Sequence, residues 1–291
     1  MKSKVYFTDL RATHKENLFK KIEKLTEAAG LSKTVSKRDL VAVKIHFGEM
    51  GNTAFIRPVF LRKIVESVKA TGGVPFLTDA NTLYAGTRSD APHHLTTATQ
   101  NGFAYSVVEA PLVIADGLRG KSETPVEINQ KHFKQVYIGA EIVQADSLIS
   151  VAHFKCHELS GFGGTLKNLG MGCASRRGKL AQHSTVCPAI KKKKCIGCGE
   201  CILICLNSAI QIEWNQTIPA FLEKMVEYTM GVLKDKAGKA LFIERRHEFE
   251  KGNYEEAESD HIHAGDWDQP RQPVVCGQVA SPGDANWSGL G

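Results

Sequence analysis

Two rhythms of apolar residues alternate along the first part of the chain. Short, near-continuous β-prone runs, as at residues 5–8, 40–45 and 74–78, are separated by stretches whose apolar positions recur every three to four residues. Residues 15–29 put Leu18, Phe19, Ile22, Leu25 and Ala28 on one helical face, and Gly30 follows as the residue that closes the helix. Pro58 opens the next helix, where a missing N–H costs nothing, and Phe60, Leu61, Ile64, Val65 and Val68 give it an apolar face. Gly72 and Gly73 end it. This β-α-β-α-β succession predicts an α/β fold, a mostly parallel sheet with flanking helices. A helix is expected at 95–101 and further strands at 105–108, 136–138 and 147–151. Beyond residue 216, Phe221, Leu222, Met225, Val226, Met230, Val232 and Leu233 predict another amphipathic helix, and residues 239–243 a last strand.

In open α/β sheets, ligands bind beyond the carboxyl ends of the strands. The polar residues collect there. His46, Glu49, Asn52 and Arg57 follow the second strand, Asp79, Asn81, Tyr84 and Arg88 the third, and His153, Lys155 and His157 a later one. Any one of these is ordinarily a surface or capping residue. Delivered together by separate strand ends, they predict a shared pocket for a small anionic ligand. The candidate catalytic residues are His46, Asp79, Arg88, His153, Lys155 and, further on, His183. A histidine could act as general base or metal ligand, while Arg57, Arg88 or Lys155 would hold a carboxylate or phosphate.

Residues 160–174 are glycine-dense, which permits close backbone approach and a nest of N–H groups. The stretch is neither a Walker loop nor a dinucleotide fingerprint after a strand. It reads as a loop cradling a polar or anionic ligand, or as a tight crossover. Lys167, Asn168, Cys173, Lys179 and His183 lie in it or just after it.

The sharpest chemistry follows. Cys195, Cys198, Cys201 and Cys205 stand at the C-x₂-C-x₂-C-x₃-C spacing of bacterial ferredoxins. Thiolates two residues apart, on a loop that Gly197 and Gly199 let curl, can reach the irons of one cubane, so a 4Fe–4S cluster is expected. Zinc sites usually separate two C-x₂-C pairs instead. Leu206 replaces the proline that normally follows the fourth cysteine, and Cys187, followed by Pro188, is a rival fourth ligand to Cys205.

Composition narrows the classes. With 291 residues and 42% hydrophobic content the chain can bury a sizeable core. No uninterrupted apolar run of about 18 residues occurs, so no membrane span is expected. The first residues carry no apolar signal region, which points to the cytoplasm. Eight cysteines there read as metal ligands in a reducing compartment, such as that of an anaerobe. The net charge of +6 is modest and no basic stripe with interleaved aromatics appears, so nucleic acid is not an expected partner. The lysines at 191–194 abut the cysteine run and either form a solvated linker or dock an acidic electron carrier. From residue 244 the chain turns polar, then rich in proline and glycine; such composition predicts a poorly ordered tail in which His261 and His263 are exposed.

Several ordered stretches resemble the iron–sulfur proteins of the family called domain of unknown function 362. They are residues 41–49 with His46 and Glu49, residues 78–84 with Asp79, Asn81 and Tyr84, and residues 152–164 with His153, Lys155 and His157. Residues 167–175 with Lys167, Asn168 and Cys173, and residues 178–184 with Lys179 and His183, continue the pattern, and the ferredoxin run follows in place. The resemblance covers roughly residues 1–243. It implies an α/β domain fused to a small ferredoxin-like, cluster-binding insert. Cys156 and Cys187 depart from the pattern, and the family's domain would continue past the insert with more strand and helix than residues 244–291 suggest. The expected organisation is an α/β domain at 1–185, a 4Fe–4S module at 186–215, a helix–strand return at 216–243 and a polar, disordered or altered tail at 244–291. The expected function is electron transfer with a soluble redox partner and, if catalytic, that of an iron–sulfur oxidoreductase. The alternatives are a non-redox enzyme acting on an anionic metabolite with a structural cluster, and a non-catalytic cluster carrier or sensor.

Overall fold

The apolar runs become strands and the amphipathic stretches become the helices that cover them. The computed structural model describes residues 4–157, 161–183, 196–197, 217–246 and 274–277, without the side chains of residues 156, 246 and 274–277. Cys187, Cys195, Cys198, Cys201, Cys205, His261 and His263 lie outside the described residues, as does nearly all of the 186–215 module. The strands are β1 (Val5–Thr8), β2 (Leu40–Lys44), β3 (Val74–Asp79), β4 (Leu112–Ile114), β5 (Glu123–Glu127), β6 (Gln135–Gly139), β7 (Ser147–His157), β8 (Gly161–Gly163), β9 (Ala240–Arg246) and β10 (Val274–Gly277). The helices are α1 (Leu18–Ala28), α2 (Leu31–Thr34), α3 (Pro58–Ala70), α4 (Ala91–Gln100), α5 (Tyr105–Val108), α6 (Ala140–Gln144), α7 (Thr165–Gly170), α8 (Arg176–His183) and α9 (Ile218–Leu233).

Strands β9, β7, β2, β3 and β4 run parallel in that order and form the middle of the sheet. β10 and β1 extend it antiparallel beyond β9, and β8 folds back on the end of β7. The fold is therefore α/β with a mostly parallel central sheet and flanking helices, as the alternation of runs predicts. Strand β2 shows why. Val41, Val43 and Ile45 point to one core with Leu61, Ile64, Val65 and Val68 of α3, while Ala42 points to the other with Leu169, Tyr228 and Val232. A strand buried on both faces reads as a continuous apolar run rather than an alternation. Each fully buried aliphatic side chain contributes roughly 1.5–3 kcal/mol.

Local signals place the helix ends. The side chain of Asn17 caps α1 by accepting from Lys20 N at 3.0 Å, and Gly30 follows that helix with φ +94. Pro58 is the first residue of α3, and Gly72 stops it with φ +88.

Five expectations give way. Tyr105–Val108 is a helical turn, not a strand: it lies between Gly102 and the left-handed Glu109 and packs Val108 into the core, so tertiary burial overrides the valines' β-propensity. The strand expected at 136–138 forms, but in a separate antiparallel hairpin with β5. β7 runs on to His157, so His153, Lys155 and His157 sit on the strand rather than beyond it. The tail expected to be poorly ordered supplies β10, which pairs antiparallel with β1 and β9, and β9 itself extends to Arg246. The glycine-dense stretch is likewise a strand and a short helix, β8 and α7, with Glu244 accepting from Thr165 N at 3.1 Å and Thr165 Oγ1 at 2.9 Å to cap that helix.

Candidate functional site

The carboxyl ends of β2 and β3 carry a buried ionic group. Asp79, the last residue of β3, is 3% exposed, and Lys44, the last residue of β2, is 1% exposed. Their side chains meet with Lys44 Nζ 2.8 Å from Asp79 Oδ1. The parallel register that pairs Lys44 with Thr78 brings these two strand ends side by side. Arg88 Nη1 lies 3.4 Å and His94 Nε2 3.6 Å from Asp79 Oδ2, while the Ala80 N–H donates to Oδ1 at 2.9 Å. Burial by itself would raise the Asp79 carboxyl, but Lys44 first, then His94 and His46, hold it well below the usual carboxylate range. It is an ionised acceptor in a low-dielectric setting, where breaking the pair would leave an uncompensated charge.

A second layer fixes these groups. Asn168 of α7 accepts from Lys44 Nζ at 2.9 Å, and its amide donates to Ser150 Oγ at 2.9 Å and to Lys44 O at 3.2 Å. Gly172 leaves room for the lysine: a Cβ there would lie 2.7 Å from Lys44 Nζ. Arg88 also pairs closely with Glu49, and Tyr84 donates to Glu49 Oε1 at 2.8 Å. Burial and the Glu49 carboxylate, against the pull of Arg88, push the Tyr84 phenol up to about 12, so it stays a hydroxyl. Asn81 donates to Asp116 Oδ1 from its side chain at 2.8 Å, just beyond β4, and burial raises the Asp116 carboxyl. Lys179 of α8 donates to Ala174 O at 2.5 Å, and its burial brings the ammonium down to about 8.

His46 stands at the rim of this group. Burial, Arg88 and the nearby lysines keep its pKa well below the ordinary imidazole value, against the pull of Asp79, so it is neutral. Its Nδ1 accepts from the Gly48 N–H at 2.9 Å. In a neutral ring that assigns the proton to Nε2. His46 is thus set to donate one hydrogen bond from Nε2, and this arrangement suits neither a general base nor a metal ligand at that atom.

The structure brings His46, Asp79 and Arg88 together, and Lys155 lies close enough that Arg88 lowers it and Glu49 raises it. His183, the last residue of α8, belongs to a neighbouring group with His157 and Lys167. Alternation along β7 puts His153 with Ile149 and Val151, on the face toward α1 and α3, and Ser150 on the other, where it meets Asn168. Cys173 is fully buried, and burial pushes its thiol up to about 11, so it is a small core residue rather than a thiolate ligand. Lys44, His94, Asp116 and Ser150 complete the site without being expected from sequence. Lys44 had a legible signal, the one charge inside an otherwise apolar strand. Among the described residues no cluster of three or more His, Cys, Asp or Glu side chains is arranged to hold a metal ion.

A sequence model of the family described as Domain of unknown function (DUF362) matches residues 41–259, from the start of β2 through all of the site. The chain belongs to this family. Among curated proteins, none matches this DUF362 chain. Of solved structures, it is similar to the lactate racemase apoprotein from Thermoanaerobacterium thermosaccharolyticum, at 16% identity and a TM-score of 0.46 over 78% of this chain and 49% of that one. It is also similar to a protein from Thermotoga maritima, at 12% identity and a TM-score of 0.46 over 84% of this chain and 53% of that one. The DUF362 chain thus spans about half the length of these two structures. No helix among its described residues is long and apolar enough to cross a membrane.

Proposed function

We propose that this DUF362 protein binds a 4Fe–4S cluster through Cys195, Cys198, Cys201 and either Cys205 or Cys187. In this reading it is a redox protein that exchanges single electrons with a soluble carrier while the strand-end site holds a small anionic ligand. The observation that carries the reading is the C-x₂-C-x₂-C-x₃-C run, a set of four soft thiol donors at ferredoxin spacing. The surrounding fold supports it. The His183 ring at the end of α8 stacks on Phe221 in the first turn of α9, with centroids 5.0 Å apart. His183 and Phe221, which flank the cysteine run in sequence, thus meet, with Lys167 and His157 near His183. Positive charge there favours a thiolate-ligated cluster, whose net charge is negative.

The bound cluster would supply one-electron transfer. The chain's own residues do the rest: Asp79 holds Lys44 and Arg88 in place, His46 offers a neutral N–H donor, and Lys155 offers a cation at the rim. A second reading, a non-redox enzyme with a structural cluster, is favoured by this same preorganised network, which could bind an anionic metabolite without any electron. A potentiometric titration of anaerobically prepared protein, followed by electron paramagnetic resonance, separates the two. Reversible one-electron reduction at low potential supports the redox reading. A cluster that reduces only as the protein unfolds supports the structural one, and oxygen-driven cluster loss that alters partner binding supports a carrier or sensor.

A further inference from the structure

The hairpin of β7 and β8, the start of α7 and the end of α8 gather Lys155, His157, Lys167 and His183. On the hairpin Lys155 lies directly across from Gly163. A Cβ built on Gly163 would stand 3.5 Å from Lys155 Cγ and 3.6 Å from Lys167 Cδ, so both lysine stems pass the same glycine and form one cluster, in which Lys155 is exposed and Lys167 half-buried. His183 is fixed at its edge by the Phe221 ring. The group is electrostatically strained: burial and then Lys155 bring Lys167 down to about 8, and burial and then Lys167 bring His157 to about 4 and His183 to about 3. The nearby carboxylates of the described residues are engaged elsewhere, Glu49 with Arg88 and Tyr84, Glu244 with the first turn of α7. Two ammonium groups brought close together repel one another unless an anion joins them.

We propose that Lys155 and Lys167, flanked by His157 and His183, form the subsite for a doubly charged oxyanion, either the phosphate of a phosphate monoester or the paired carboxylates of a dicarboxylic acid. This rests on the anionic-ligand part of the function proposed above and is independent of its redox part. Two cations at one place match a dianion better than a monocarboxylate.

The test is calorimetric titration of the full-length protein, prepared anaerobically, with inorganic phosphate, succinate and acetate. Phosphate or succinate should bind at least about tenfold more tightly than acetate, and the tighter of the two identifies the dianion. Lys155→Met and Lys167→Met should each weaken that binding by about tenfold or more, a charge-assisted contact being worth at least that factor. Lys167→Arg, which keeps the charge, should retain it, and Lys33→Met on α2 should leave it unchanged. Equal affinity for the three anions, no binding, or binding that survives both Met variants overturns the proposal. If a Met variant fails to fold, retention in Lys167→Arg together with the three-anion ranking still decides it. Anion binding beside a cluster that does not reduce would overturn only the redox reading, and a reducible cluster without anion binding would overturn only this one.

Discussion

Replacing Asp79 by Asn removes one charge from a site holding two buried cations. Lys44 lies 2.8 Å from the carboxylate and is 1% exposed; Arg88 lies 3.4 Å away and is 5% exposed. Asn keeps the shape and some hydrogen bonding but leaves both cations short of their counter-charge. Removing one partner of a buried pair costs about 3–5 kcal/mol. For a chain of this size that is a fall in the melting midpoint on the order of 10 °C. The linkage has the same sign. The folded pKa of Asp79 lies well below the ordinary aspartate value of about 3.8, so its contribution is complete above about pH 4 and is lost as pH falls through the folded value. Thermal and urea unfolding of wild type and Asp79→Asn at pH 7, repeated down to pH 3, measure both effects. Glu223→Gln, which disrupts the exposed pair with Lys131 (2.8 Å), serves as a control and should leave the midpoint in place. An Asp79→Asn variant as stable as that control would refute the claim that the strand-end ions hold one another. So would a double variant, Lys44→Met with Asp79→Leu, that costs as much as the two singles added together, because coupled partners should be non-additive.

Other consequences follow from close approaches and buried charges. Gly170→Ala would drive a Cβ into Met225 O, where α7 meets α9, and should destabilise the protein by about 1–3 kcal/mol in urea unfolding; full stability would show that the two helices can separate freely. Burial brings Lys179 down to about 8 in the folded protein from the ordinary lysine value of about 10.5, so the unfolded chain binds more protons between those values. Stability should therefore gain a rising contribution from about pH 8 to 10.5 that Lys179→Met abolishes, and an unchanged difference between the two proteins across that window would contradict the burial argument. Cys198→Ser should abolish the brown chromophore, and survival of the chromophore in Cys205→Ala but not in Cys187→Ala would assign the fourth ligand to Cys187.

Much of the fold is legible in the sequence because strands buried on both faces carry near-continuous apolar runs, and helices carry their caps. Val41–Val43, Pro58 and Gly72 are examples. What escaped depends on partners far along the chain. Tyr105–Val108 has strand-like residues but only a turn's room between Gly102 and Glu109. Val274–Gly277 sits in a polar, glycine- and proline-rich surrounding and pairs with β1 and β9, contacts that no local pattern announces. The site divides in the same way. His46, Asp79 and Arg88 are visible because strand ends display polar residues in sequence. His94 looks like an ordinary helical position until α4 packs it against Asp79, and nothing local shows that alternation along β7 sets His153 on the face of Ile149 and Val151, away from Ser150 and Asn168. Lys44 is visible as the one charge in an apolar run, but its role is not, because its buried counter-ion Asp79 lies on another strand.

The reading of this chain as an iron–sulfur protein stands or falls on what the four-cysteine run binds. Iron and acid-labile sulfide analysis of protein purified without oxygen, with the visible absorption spectrum of the same sample, measures that directly. The account predicts about four irons and four sulfides per chain and a broad brown absorption band that bleaches with a one-electron reductant. A colourless, iron-free preparation that is equally well folded would contradict it.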